Sequence, residues 1–416
     1  MTACGLDFGT SNSTLGLASA TPALVPLEGD DVTLPSAIFY ARDAAPLVGR
    51  AAIAAYVDGH DGRLMRSLKA VLGNPLINET TQVGRARVGF RSVIAHFIAV
   101  AKRRAEARTG RPLEQVVHGR PVHFVDGDAE GDRKAEGVLA EIAREVGFSE
   151  ISFQYEPIAA ALDYERQVNG EEIALIADIG GGTSDFSIVR LGPERRGRPD
   201  RADDILANDG VRIGGTDFDR QLNLGTVMPM LGYRSAMKRA GLPVPSGYFH
   251  DLATWSTINR LYERGVAQQL NEVRREARHP EMIERLIRVV EERGGHRLAI
   301  EVEASKIALS DAPAADIPLN WIEQGLEARV TRDTLVMETA ALAAAIAARI
   351  AGCLTAAGLK AEAIDAVFLT GGSTRLAHVR KAILAAVPEA RPAEGDTFGS
   401  VGMGLTIEAA NRYGAA

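Results

Sequence analysis

The chain has 416 residues, a formal net charge of −7 and 46% apolar side chains, a globular composition long enough for two to four domains. The mild acidity excludes a general electrostatic grip on nucleic acid or anionic membrane, and two cysteines cannot make a disulfide framework. Glycine is in excess, with 42 residues, about a tenth of the chain against a usual share of roughly 7%, so the tight turns are the first places to look for chemistry.

The N-terminus, MTACGLDFGTSNST, carries neither a basic region nor an apolar one, so no signal peptide is expected and a cytoplasmic protein is. Cys4–Phe8 reads as a strand that ends in Gly9-Thr10-Ser11-Asn12, with Thr14–Leu17 returning beside it. From about Thr33 to Gly110 an insertion is expected, with strand Ser36–Tyr40 and helices near Ala51–Val57, Arg63–Leu72 and Ser92–Arg108. Val116–His118 reads as a strand, Glu130–Val146 as an amphipathic helix and Ile151–Tyr155 as a strand. Pro157 opens a helix that runs to Arg166.

The second half repeats this plan. Ile173–Ile179 is an apolar strand ending in Gly180-Gly181-Gly182-Thr183, and Phe186–Val189 returns beside it. Leu191–Asp204 is charged, contains Pro and Gly, and is expected to be mobile. Gly214-Gly215 lead into Thr216-Asp217. Residues from about Asn223 to Arg297 read as a charged helical insertion with a solvated face, anchored by Tyr248, Phe249, Trp255 and Tyr262. Ala315–Thr331 reads as two strands that turn near Gln324-Gly325, and Val336–Ala356 as an alanine-rich helix. Its apolar stretch, Glu338–Arg349, is too short for a membrane span of about 20 residues and is expected to be a buried helix. Ala366–Leu369 is a strand that runs into Gly371-Gly372-Ser373-Thr374, followed by helices over Arg375–Val387 and from about Phe398.

Asp7-Phe8-Gly9-Thr10-Ser11 and Asp178-Ile179-Gly180 with Thr183-Ser184 are two copies of one hairpin, each in its own half-chain. That points to duplication of one α/β unit. Glycine turns expose backbone N–H groups that can cradle anions. Two aspartates suit a Mg²⁺–phosphate complex, because Mg²⁺ keeps much of its water and takes one or two carboxylates plus phosphate oxygens. One Asp-x-Gly-Thr alone would be a structural turn; the second copy reverses that judgement. No Walker loop occurs, and the glycines lead into a strand rather than a helix, which excludes a Rossmann fingerprint. Phosphoryl chemistry would further need a cation and a group that orients water.

The run Gly5–Ser13 resembles the first phosphate loop of Hsp70-type ATPases, and Leu175–Ile188 resembles their second. Tyr155–Leu162 is similar to their first connecting helix, Gly214–Leu222 to their Gly-Gly segment, and Phe368–Ile383 to their adenosine motif. The resemblance implies an α/β actin-like ATPase fold with two duplicated ribonuclease-H-like lobes around a nucleotide cleft. Lobe I would be residues 1–170 with an insertion at about 33–110. Lobe II would be residues 171–416 with an insertion at about 223–297 and a closing helix at about 398–414.

The resemblance also implies site roles. Asp7 and Asp178 would hold hydrated Mg²⁺, while Gly9, Thr10 and Ser11 face Gly180, Gly181, Gly182 and Thr183 across the phosphates. Glu156 would order water, and Arg66–Gly73 resembles the segment that carries the lysine essential for hydrolysis, which points to Lys69. Pro121 matches the switch proline, with Arg133 as its arginine. Gly214, Gly215, Glu303, Lys306, Ser310, Gly371, Gly372, Ser373, Arg375 and Asp396 would contact the nucleotide. Ile307 stands where many relatives place an adenine-stacking arginine.

The expected ligands are ATP or ADP with Mg²⁺, and K⁺ as a further cation. The expected partners are a protein client or cochaperone, with neither nucleic acid nor membrane, and a monomeric state. The chain stops just after the closing helix, where an Hsp70 chaperone continues into an apolar linker and a peptide-binding domain. It therefore resembles most the Hsp70-like proteins of the YegD type, which are ATPase domains alone. Two other readings use the same superfamily: a polymer-forming relative of actin and MreB, and a small-molecule kinase of the sugar type.

Overall fold

The computed structural model describes residues 2–414 apart from 43, 74, 84–85, 126–127, 199, 240 and 394–398. The chain divides into two compact units. One comprises Met1–Val211, Ala348–Thr374 and Ile383–Ala416, and the other Arg212–Ala347 and Arg375–Ala382.

The first unit contains two sheets of matching topology. In one, the order is Glu150–Tyr155, Gln115–Arg120, Ala3–Phe8, Asn12–Leu17, Ala23–Leu24, with Leu34–Pro35 also paired to Asn12–Leu17. In the other it is Arg391–Pro392, Ala366–Thr370, Glu172–Ile179, Ser184–Leu191, Ile205–Val211. Each sheet is built on a hairpin whose first strand pairs antiparallel with its return strand and parallel with a later one. The expected duplication is therefore present in the strand order itself.

Helices cover the first sheet on both faces. Leu6 and Phe8 pack with Phe97 and Ile98 of helix Phe90–Thr109 and with Leu139 and Ile142 of helix Ala129–Glu145. On the opposite face Ala3 and Val117 meet Leu405 and Ala409 of the closing helix Ser400–Tyr413. Helix Glu156–Glu165 gives Ala159 to that layer, and Ile158, Ala161 and Leu162 to the core of the second sheet. It is buried on more than one side, which explains its run of alanines: small side chains let two layers close on one helix. A Cβ at Gly404 would overlap the carbonyl oxygen of Ala159, and one at Gly5 would overlap the closing helix at Leu405-Thr406. Some of the glycine excess therefore serves close packing rather than turns.

The second unit is mainly helical. It contains helices Gly215–Met230, Gly247–Ala253, Val266–Glu276, Pro280–Glu291 and Gly295–Asp311. The hairpin Ala314–Pro318 with Glu327–Thr331 turns through Gly325 at φ 79°, a left-handed conformation suited to glycine.

Three local expectations are corrected. Arg63–Leu72 is not one helix: Gly62–Arg66 is a strand on Ala37–Ala41, Ser67 turns through φ 56°, and Leu68–Val71 is a short 3₁₀ turn. Pairing with a neighbouring strand overrides the local helix preference.

Leu191–Asp204 is anchored rather than loose. Arg201, Asp204 and Glu165 are all almost wholly buried. Arg201 donates to both carboxylate oxygens of Glu165, at 3.0 and 2.8 Å, and also to Asp204, which Arg195 binds as well. The Gly192 N–H donates to Glu165 at 3.0 Å. The charge-assisted bonds offset the desolvation of burying these ions.

The alanine-rich helix spans Arg332–Ala356 and buries only one side, through Leu335, Thr339, Ala343, Ile346, Ile350 and Cys353. Among the described residues it is the one helix long and apolar enough to cross a membrane by length and composition. Its buried side carries a polar group with a protein partner: Thr339 shares a hydrogen bond of 2.8 Å with His378.

Candidate functional site

Both hairpin tips lie in the first unit, and they touch. Asp7 pairs with Thr14 near the end of the first hairpin, and Asp178 pairs with Asp185 in the second. The Gly180 N–H donates to the Thr183 carbonyl at 2.9 Å, which closes the second turn. A Cβ at Gly181 would overlap the hydroxyl of Ser11 on the other hairpin. Ser36 braces the first tip from behind: its N–H donates to the Ser11 carbonyl at 2.8 Å and its hydroxyl to the Gly9 carbonyl at 2.6 Å. Gly9, Thr10, Ser11, Gly180, Gly181 and Gly182 are partly exposed and Thr183 is exposed.

Among the described residues, four carboxylates (Asp7, Glu156, Asp178 and Asp185) and the Lys69 ammonium meet at these tips. Glu156 opens its helix directly after strand Glu150–Tyr155. Its carboxylate is paired with Lys69, carried there by the 3₁₀ turn. Burial pushes Asp7 up to about 7, with Glu156 and Asp178 adding to the rise and Lys69 opposing it. Burial likewise pushes Asp178 up to about 6, helped by Asp185 and Glu156. The Thr370 hydroxyl, beside Asp178, acts in the other direction. For Lys69, burial pulls the ammonium down, but Glu156, Asp7 and Asp178 outweigh it and hold its value above that of an ordinary lysine. The pocket is therefore short of positive charge.

The last glycine motif closes on the second hairpin. Gly371 adopts φ 79°, and a Cβ there would overlap the Ile179 carbonyl and crowd the Asp178 carboxylate. Gly372–Arg375 forms a 3₁₀ turn with Ser373 buried, and the Thr374 hydroxyl donates to the Gly371 carbonyl at 2.7 Å.

Of the other residues that the resemblance singles out, Gly214, Gly215, Glu303, Lys306, Ser310 and Arg375 belong to the second unit. The Gly214 N–H donates to Asp217 at 2.9 Å at the start of helix Gly215–Met230. Lys306 is buried, with its ammonium 2.8 Å from Asp219 and 3.1 Å from the Gly215 carbonyl. It is committed to holding two helices together. Glu303 and Ser310 are half-buried on the same helix, and Arg375 pairs with Asp311 at 3.0 Å. Asp396 lies outside the described residues.

Asp185 escaped the sequence reading. It sits two residues past Thr183, whose hydroxyl donates to it at 3.1 Å, and after burial its charge does most to raise Asp178. Hairpin pairing was the signal: any residue opposite Asp178 must be Asp185 once the turn is closed.

Among the described residues no group of three His, Cys, Asp or Glu side chains could hold a metal unaided. Hard carboxylate oxygens in a pocket short of positive charge nevertheless fit Mg²⁺, whose remaining ligands would be phosphate oxygens and water.

A family model described as "Hsp70 protein" matches residues 3–224 and 281–409. Two curated relatives are each named "Chaperone protein DnaK". The one from Thermosipho melanesiensis is 26% identical over 419 residues, covering 98% of this chain and 58% of the relative. The one from Thermosipho africanus is 26% identical over 389 residues, covering 91% and 54%. The chain thus spans a little over half the length of these relatives.

Proposed function

The chain belongs to the Hsp70 family, and from that premise we propose that it binds ATP with Mg²⁺, hydrolyses it to ADP and phosphate, and changes conformation between the two states to act on protein partners. The observation that carries this reading is the Lys69–Glu156 ion pair beside Asp7 and Asp178, where the two hairpin tips touch. In the hydrolytic step a water oxygen bonds to the γ-phosphorus and the bond to the β–γ bridging oxygen breaks. Glu156 orients the water and accepts its proton, and Lys69 is a compact point charge for the γ-phosphate oxygens. Thr183 and the backbone N–H groups of both tips bind phosphate oxygens. Asp7 and Asp178 would hold Mg²⁺ through its water shell; the ion, when bound, supplies charge neutralisation on the phosphates.

The fold family and the names of the relatives support a chaperone-type role with a client or cochaperone. A cytoplasmic location suits two buried, unpaired thiols, Cys4 and Cys353. Titration calorimetry with ATP tests the binding step: wild-type protein should bind in the presence of Mg²⁺, and Asp178→Asn should weaken the Mg²⁺-dependent part. Equal affinity with and without Mg²⁺ in both proteins would remove the metal assignment.

A further inference from the structure

Strands Gln115–Arg120 and Glu150–Tyr155 run parallel and end level, with Arg120 opposite Tyr155. Glu156 is the next residue. The Arg120 guanidinium donates through Nε to the Pro121 carbonyl at 3.1 Å and through a terminal nitrogen to the Val122 carbonyl at 3.2 Å. Its other terminal nitrogen binds Glu136 of helix Ala129–Glu145. The guanidinium carbon stands 4.9 Å from the centre of the Tyr155 ring and 5.5 Å from that of Phe124. Only 13% of this side chain is exposed. A Cβ on Gly119 would come within 3.3 Å of the Glu156 Cγ, so the catalytic side chain lies directly over that backbone. Arg133, the expected partner of Pro121, is an exposed residue, and the arginine on the Pro121 carbonyl is Arg120.

We propose that Arg120 is a positioning residue for Glu156. It ties the Pro121–Val122 turn to Tyr155, and so fixes both the floor under the Glu156 side chain at Gly119 and the residue from which its helix starts. This rests on the hydrolytic reading above. A planar guanidinium reaches two carbonyls and an acid at fixed angles, which a lysine cannot copy. Lysine keeps the charge beside Glu136 and the contact with the rings. Misplacing a reacting group by about 1 Å can cost on the order of a hundredfold in rate.

The test compares wild type, Arg120→Lys, Arg120→Met and, as a surface control on helix Ala129–Glu145, Arg144→Ala. Single-turnover ATP hydrolysis, ATP affinity, thermal midpoint and amide exchange at Glu156, Ile158 and Ala159 are measured on each. Both Arg120 variants should slow hydrolysis at least about tenfold, with the ATP dissociation constant changed less than about twofold. They should also speed exchange at those amides at least about tenfold, while Arg120→Lys keeps the wild-type thermal midpoint and Arg144→Ala matches wild type throughout. A wild-type rate with wild-type exchange in Arg120→Met overturns the proposal. So does full rescue of rate and midpoint together by Arg120→Lys, which would make Arg120 a purely structural residue. If wild type hydrolyses no ATP, the hydrolytic reading fails by itself, and unchanged amide exchange in the variants still overturns the positioning role.

Discussion

The ammonium of Lys69 is bound by the carboxylate of Glu156, a residue 87 positions further along the chain. One comes from a 3₁₀ turn beyond an inserted strand, the other from the first residue of a helix between two sheets. This pair shares its pocket with Asp7, Asp178 and Asp185, so negative charge dominates. A bound cation would relieve this crowding, which is the part the proposed Mg²⁺ would play.

That imbalance has a measurable cost. Asp7 is raised from 3.8 to about 7, so between those values the folded state binds more protons than the unfolded one. Its contribution to stability is fully present below pH 3.8 and is lost as pH rises through 7. Asp7→Asn should therefore stabilise the nucleotide-free protein at pH 8 by about 1–3 kcal/mol, with the gain shrinking towards pH 4. Thermal midpoints across that range check this; a gain that grows on acidification would show the sign to be wrong.

The Glu165–Arg201–Asp204 cluster predicts opposite results for partial and complete removal. Arg201→Met leaves two buried carboxylates short of their shared partner and should cost about 3–5 kcal/mol in urea unfolding. The triple variant Glu165→Leu, Arg201→Met, Asp204→Leu should recover most of that loss, because no uncompensated buried charge remains. A triple variant as unstable as Arg201→Met would mean that the ions themselves are irreplaceable.

Two glycines should respond in opposite directions to alanine. At Gly404 the new methyl would overlap the Ala159 carbonyl, so Gly404→Ala should destabilise by at least about 1–3 kcal/mol. Gly137, inside helix Ala129–Glu145, has no atom within 4 Å of its added Cβ. Gly137→Ala should stabilise by about 0.5–1 kcal/mol. Denaturant midpoints of the two variants decide it.

Ile307 is 52% exposed on helix Gly295–Asp311, beside the buried Lys306. If this helix carries the purine side of the nucleotide, Ile307→Arg adds a guanidinium that can lie on the base. Calorimetry with ADP should then show a dissociation constant about two- to fivefold lower, equivalent to about 0.5–1 kcal/mol. An unchanged constant would separate Ile307 from adenine.

The paired hairpins, their strands and Asp7 and Asp178 were legible because glycine turns and apolar runs are local signals, while Glu156 came only through the family resemblance of Tyr155–Leu162. Lys69, expected from the resemblance, lies beside Glu156 but on a 3₁₀ turn rather than a helix, since the strand Gly62–Arg66 exists only through its partner Ala37–Ala41. The Leu191–Asp204 segment read as loose because charge and proline suggest solvent. Its partner, Glu165, lies on a helix whose burial no local pattern reveals. Gly5 and Gly404 sit inside a strand and a helix, where the local pattern gives glycine no reason, and only the packed closing helix shows their purpose. Arg120 was passed over because its role depends on Tyr155 and Glu136, far from it in sequence.

The most direct measurement is single-turnover ATP hydrolysis by Lys69→Ala alongside its ATP affinity. Loss of the Lys69 ammonium from among these carboxylates should slow hydrolysis on the order of a hundredfold or more and leave the dissociation constant within a few-fold of wild type. A Lys69→Ala protein that hydrolyses ATP at the wild-type rate would contradict the assignment of this pocket as the hydrolytic site.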